Sequence, residues 1–196
     1  MSKAKFAKCE ECSLLKNKFV PSEFNSNKLA FIAEAPGLTE TIQGKPLVGA
    51  AGKELMNILS LLGYKREDFS YLNACCCRPV DIVDGKEYNR TPTVSEIRCC
   101  NDRLLHELEK LSPLVVVVLG LRGYIALGGS ADKRMSDIEG VHLIVNKKFD
   151  AFVTYHPAAI IHSGLGTSKS DLIRSKMMVT INTAISQTQD KQLELL

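Results

Sequence analysis

The sequence predicts a three-layer α/β/α sandwich around a central four-stranded parallel sheet, and three observations predict it. Residues 114–120 (LVVVVLG) are a continuous β-branched run, the composition of a strand buried on both faces of a parallel sheet. Residues 93–111 keep a helical period, with Ile97, Cys100, Leu104, Leu108 and Leu111 on one face and Thr93 and Glu96 spaced as a capping box. Strand-like and helix-like segments alternate along the chain, as a parallel sheet covered on both faces requires.

The elements follow in order. Residues 1–28 are polar and Lys-rich and read as an arm or loop. Residues 29–35 (LAFIAEA) read as a buried strand stopped by Pro36-Gly37, and a Gly- and Pro-punctuated loop continues through Gly52. Residues 53–63 place Leu55, Ile58, Leu59 and Leu62 at helical spacing before a glycine cap. Residues 69–76 (FSYLNACC) are a second strand, and 81–90, polar with a central Asp-Gly, a loop or small hairpin. Beyond 114–120, residues 123–128 read as a helix start and 141–145 as an edge strand. Residues 151–155 (AFVTY) form a fourth buried strand stopped by His156-Pro157. Residues 171–184 are helical in period, and the end from Ser186 reads as frayed. One domain spanning 1–196, with an arm at 1–28, is the expected organisation. Ligands of such sheets bind at the carboxyl ends of the strands. Here those ends carry Glu34, Ala35, Pro36 and Gly37, then Asn73, Gly120 and His156.

Apolar residues make up 45% and charged residues 24%, an ordinary balance for a globular chain. The net charge of +3 permits a nucleic-acid partner without arguing for one, because a local patch matters more than the total. The longest apolar run, 114–121, is far short of the roughly 20 residues that span a bilayer. The basic first eight residues have no apolar core behind them, so a cytosolic, membrane-free monomer is expected. In a reducing compartment the seven cysteines read as metal ligands or buried core rather than disulfides. They fall in three groups: Cys9 and Cys12; Cys75, Cys76 and Cys77; Cys99 and Cys100. That distribution suggests a site tying distant segments together.

Five ordered blocks carry a resemblance. Residues 34–40 (EAPGLTE) with 44–52 (GKPLVGAAG) form the first, and Asn73 before Cys77-Arg78-Pro79 the second. Residues 89–100 (NRTPTVSEIRCC), Tyr155-His156-Pro157 and the pair Cys9 and Cys12 complete them. Together they resemble the family 4 uracil-DNA glycosylases over almost the whole chain. The resemblance implies an α/β/α fold, DNA as partner, and hydrolysis of the N-glycosidic bond of a base flipped out of the helix. It also implies a [4Fe–4S] cluster on Cys9, Cys12, Cys77 and Cys100. Four cysteines also suit tetrahedral zinc, and the residues alone leave the two even. Cys75, Cys76 and Cys99 read as small buried side chains, with Cys76 and Cys99 kept as minor ligand candidates.

Cleaving C1′–N leaves a cationic sugar and an anionic base, so the site needs a carboxylate near the sugar and donors toward the base. Glu34 is the expected carboxylate and Glu40 a weaker second candidate that could equally be a helix cap. His156 is implied to hydrogen-bond the base oxygen as charge develops, and Asn73 to read the base edge. Ala35, Pro36 and Gly37 would bring backbone amides close. Basic residues near the motifs (Lys45, Arg78, Arg90, Arg122, Lys169, Arg174) are candidates for phosphate contacts, and Leu165, between glycines, for a wedge in the DNA stack. His106, His142 and His162 have no such context and read as surface residues.

Four departures bear on specificity. Leu47 stands where the family usually has an aromatic, Thr41 replaces an acidic residue, Ala33 replaces a glycine, and residues 81–88 are inserted. Together they suggest a remodelled pocket, with weak activity on uracil and better activity on a pyrimidine substituted at C5. A non-catalytic DNA-binding relative is the competing expectation.

Overall fold

The computed structural model describes residues 3–194; Met1, Ser2, Leu195 and Leu196, the outer ends of the arm and the tail, lie outside the described residues. A five-stranded sheet forms the centre, built from β1 (Leu29–Ala33), β2 (Ser70–Asn73), β5 (Val115–Leu119), β6 (His142–Val145) and β7 (Phe149–Thr154) in the order β2-β1-β5-β7-β6. A separate hairpin pairs β3 (Val80–Val83) with β4 (Lys86–Asn89). The four expected strands are mutually parallel. The sheet has five strands rather than four because the expected edge segment joins it antiparallel to β7, with Ile144 opposite Asp150.

Every residue of β1, β2 and β5 is buried, as a strand covered on both faces must be. Leu29, Phe31 and Ala33 face one apolar layer, and Ala30 and Ile32 the other. The first layer packs on α2 (Ala50–Leu61), α6 (Ala158–His162) and α7 (Ser168–Glu194), behind the short α1 (Leu38–Gln43). The second packs on α3 (Val94–Leu111), α4 (Gly120–Ala126) and α5 (Met135–Ile138). The capping box forms as expected: Thr93 Oγ1 accepts from the Glu96 amide at 3.2 Å, and the Glu96 carboxylate accepts from the Thr93 amide at 2.8 Å.

Two expectations are corrected. The tail is not frayed from Ser186: α7 runs to Glu194, because Thr188 is buried and Lys191 reaches across to the Leu114 carbonyl and Asp150. The arm is more than a loop. It contains a 3-10 turn, Cys9–Glu11, and is stitched down through Lys8 N to the Cys99 carbonyl and Val20 N to the Cys76 carbonyl. The hairpin reading of 81–90 holds. Asp84 and Gly85 both take positive φ, 50° and 74°, the pair of angles a two-residue type I′ turn needs.

The chain leaves β1 for β2 at one edge, then returns to place β5 on the opposite side of β1. Connections therefore diverge between β1 and β5, and a crevice opens beyond their carboxyl ends.

Candidate active site

That crevice is a cleft of about 530 Å³. Glu34 follows β1, Asn73 ends β2, Gly120 follows β5 and His156 follows β7, so four parallel strands deliver four residues to one place. Glu34, Asn73 and His156 all line the cleft, together with Ala35, Pro36 and Gly37. Burial raises the Glu34 carboxyl above its ordinary range, opposed by the charge and backbone N–H of Arg122. Gly120 (φ 87°) is what allows this convergence. A side chain there would put its first carbon 2.9 Å from Glu34 Oε1 and 3.0 Å from His156 Cβ.

His156 is held in one protonation state and one tautomer. Burial brings its pKa down to about 4, so the ring is neutral at pH 7. Its Nδ1 accepts from the Ala158 amide at 3.2 Å, which leaves the single ring proton on Nε2. The neutral ring is therefore a donor through Nε2–H. Asn73 is 2% exposed; its carbonyl accepts from Arg103 at 2.5 Å, while its side-chain amide makes no hydrogen bond to another described residue. An amide with a spare donor and acceptor can read a base edge.

Glu40 also lines the cleft, but its carboxylate is already engaged. It accepts from the amides of Gly37 at 3.1 Å, Val48 at 3.0 Å and Gly49 at 2.6 Å. The side chain thus ties the Glu34-bearing turn to the following loop. Leu47 lies in that loop with φ 50° and lines the cleft, although it is only 5% exposed and packs against the apolar layer under α2. The unusual backbone is clamped by Arg66, which donates to the carbonyls of Pro46 at 2.6 Å and Leu47 at 2.9 Å.

The residues expected to meet DNA divide. Leu165 is 62% exposed between two glycines, just beyond α6, whose residues line the cleft. Lys169 is exposed in the first turn of α7. Arg90 lines the cleft, yet its guanidinium is committed to a two-pronged pair with Glu96 at 2.8 and 2.6 Å. That pair draws the Glu96 carboxyl down to about 2, helped by Ser13. Arg78 is buried and held by Asn89 and Glu87, and Arg174 pairs with Glu54. Charge in these three is already answered inside the protein.

The cysteines gather elsewhere. Cys9, Cys12, Cys77, Cys99 and Cys100 line one small apolar cavity beneath the arm. Cys12 hydrogen-bonds Cys99, and the buried Cys75 thiol donates to Cys100, holding the Cys100 thiol below its usual range. Cys76 is buried and does not line the cavity. Among the described residues no group of three or more candidate ligands stands ready around a single metal ion. The donor set itself, soft thiols from three distant segments around a dry space, is the kind that suits a four-thiolate group.

Sequence reasoning missed several residues. His162 is exposed, as read, but it also lines the cleft and disfavours a charge on His156. Asn89 lines it from the hairpin. Arg103, 2% exposed, bridges α3 to the end of β2, pairing with Glu107 at 2.5 Å while holding the Asn73 carbonyl. Its i, i+4 spacing with Glu107 was the available signal; its burial was not legible.

A fold with a carboxylate and a neutral histidine at the switch point of a parallel sheet defines a class, and comparison with known proteins identifies it. The family model of the Uracil DNA glycosylase superfamily matches residues 21–182. The Type-4 uracil-DNA glycosylase of Archaeoglobus fulgidus is 36% identical over 163 residues, 79% of this chain and 78% of that protein. Those of Saccharolobus solfataricus (36% identical, 80% and 74% covered) and Thermotoga maritima (31%, 80% and 79%) are similar over the same extent. The crystal structure of wild-type Pedobacter heparinus SMUG2 shares the fold at a TM-score of 0.57 and 13% identity, covering 81% of this chain and 76% of that one. The chain belongs to the uracil-DNA glycosylase superfamily.

Proposed function

We propose that the protein is a DNA glycosylase that hydrolyses the N-glycosidic bond of a flipped-out pyrimidine and leaves an abasic site, acting as a monomer. The observation that carries this is the pairing in one cleft of a partly buried carboxylate, Glu34, with a neutral histidine whose proton is on Nε2. As the C1′–N bond breaks, the ionised Glu34 faces the cationic sugar and orients the attacking water; hydroxide joins C1′ and the water's proton leaves toward solvent or the departing base. His156 donates Nε2–H to the base oxygen on which negative charge develops. Asn73, whose side-chain amide no other described residue engages, reads the base edge. Glu40 holds the turn that aims Glu34. A non-catalytic DNA binder has no use for a cleft carboxylate beside an anionic backbone. Incubation with DNAs carrying uracil or C5-substituted pyrimidines, scored for alkali-labile sites, tests the reading: cleavage of either supports it, and binding without cleavage of any favours the non-catalytic relative.

A [4Fe–4S] cluster on Cys9, Cys12, Cys77 and Cys100 belongs to the same reading. Such a group would supply no step of the hydrolysis; it would tie the arm and α3 to the strand that carries Asn73. Iron and sulfide analysis of aerobically and anaerobically purified protein separates this from zinc.

The preferred base is the finer question. Leu47 lines the cleft with an aliphatic side chain in place of a flat ring, which supports a pyrimidine with a substituent at C5 over uracil. Rates on the two substrates, measured side by side, decide it.

A further inference from the structure

The hairpin of β3 and β4, which carries the inserted residues 81–88, is tied down at its base and uncovered beyond it. Arg90 N donates to the Pro79 carbonyl at 3.2 Å, Arg78 pairs with Glu87 at 2.7 Å, and Arg90 Nε lies 3.4 Å from Asp81. Past those ties Ile82 is 72% exposed, Val83 52% and Tyr88 53%, apolar surface on a ribbon too small to bury it.

Register divides the ribbon into two faces, since directly opposed residues of an antiparallel pair project the same way. Asp81 opposes Tyr88 and Val83 opposes Lys86, so these four share one face. Asp81 on that face reaches Arg90, and residues 89–92, which follow Tyr88 in the chain, line the cleft. The face therefore stands at the cleft rim. Its one acid is answered by Arg90, and Asp84 sits apart in the turn at the far end. Lys86 and Tyr88 make no side-chain hydrogen bond, ion pair or ring contact with another described residue. What remains is an aromatic ring, a cation two residues away and an apolar neighbour on one exposed strip. That combination suits a nucleic-acid strand, whose bases offer flat faces and whose phosphates are anionic.

We propose that Tyr88 stacks on the base of the nucleotide next to the flipped one, with Lys86 on its phosphate, an assignment that rests on the glycosylase reading. A strand whose nucleotide enters the cleft passes the rim, which brings a neighbouring base to the ring. In a duplex that base stays paired and stacked, whereas in a single strand its faces are accessible. The inserted hairpin thus biases this chain toward single-stranded or melted DNA.

The test uses oligonucleotides with a tetrahydrofuran abasic analogue at the target position, single-stranded or duplex, and 2-aminopurine as the neighbouring base on one side or the other. Binding of wild-type protein to the single strand should quench 2-aminopurine at one of the two positions. Tyr88→Ala should abolish that quench and weaken single-strand binding about tenfold, the scale of one lost base–aromatic stack, with duplex binding within about twofold of wild type. Tyr88→Phe keeps a ring and should quench and bind as wild type. Lys86→Ala should cost about threefold and flatten the salt dependence of single-strand binding. Wild-type single-strand affinity in Y88A overturns the assignment and leaves the face to another macromolecule. Equal losses on single strand and duplex also overturn it, because the base in contact is then not an unpaired one. A wild-type protein that binds abasic DNA in neither form overturns the glycosylase reading, and this assignment with it.

Discussion

The cleft and the cysteine cavity are both assembled from segments far apart in sequence, but by different means. The cleft takes its residues from the ends of parallel strands, whose register is set by backbone ladders and two apolar layers. Its working groups keep unused hydrogen-bonding capacity at Asn73 and His156 Nε2. The cysteine cavity is made from the arm, the segment after β2 and the first turns of α3, joined by a handful of tertiary hydrogen bonds such as Ser13 to Glu96 at 2.6 Å and Asn17 to the Arg78 carbonyl. Its thiols answer one another. A sheet edge can be preorganised by the fold alone, whereas a loop-built ring of soft donors gains most from a group that binds all of its parts.

The comparison breaks first at Glu34. Glu34→Gln should lower single-turnover excision by ~10²–10⁴-fold without lowering Tm. The sign follows from its raised folded pKa: stability from protonating this group is fully present below the unfolded pKa and is lost as pH rises through the folded one. At neutral pH the buried charge opposes folding, so the glutamine variant should melt at or above the wild-type temperature. A melting temperature well below wild type would show the carboxylate to be structural. The same shift places the acid limb of the kcat/KM profile above the ordinary carboxylate range. His156, down at about 4, stays neutral through that window and contributes no second limb.

Arg103 lies on the seam between the two regions, touching the Asn73 carbonyl on one side and facing Cys76 and Cys100 on the other. Arg103→Met leaves Glu107 with only Ser22 and strips the carbonyls of Asn73 and Ala74 of their guanidinium donor, and should cost ~3–5 kcal/mol in denaturant unfolding. A cost under 1 kcal/mol would mean the two regions are stable independently.

Glu40→Ala removes one carboxylate from three amides, and about 2–3 kcal/mol of stability should go with it. Excision should fall too, through misplacement of the Glu34 turn, and Glu40→Gln should recover part of both. Unchanged Tm with abolished chemistry would instead make Glu40 a reacting group.

The smallest expected effect is at Leu47. Leu47→Phe should shift the ratio of uracil to C5-substituted pyrimidine excision toward uracil by about tenfold, ~1.4 kcal/mol in transition-state terms. Overpacking the layer under α2 should cost ~1–3 kcal/mol in stability. If wild-type protein already prefers uracil by tenfold, the modified-base preference is lost and the aromatic is dispensable.

Local patterns determined much of this protein. The β-branched run at 115–119, the capping box at Thr93 and Glu96, the Asp-Gly turn and the Gly/Pro stops were legible because each depends on neighbours a few residues away. Strand–helix alternation then placed Glu34, Asn73 and His156 at one edge, since parallel strands share a carboxyl end. Tertiary structure alone decided the rest. That Glu40 is a bolt, that Arg78 and Arg90 are answered by Asn89, Glu87 and Glu96, and that α7 runs on past Ser186 to dock Lys191 all turn on partners distant in space or invisible in pattern. A charged side chain reads the same in sequence whether it meets water or a buried partner, and only packing decides which.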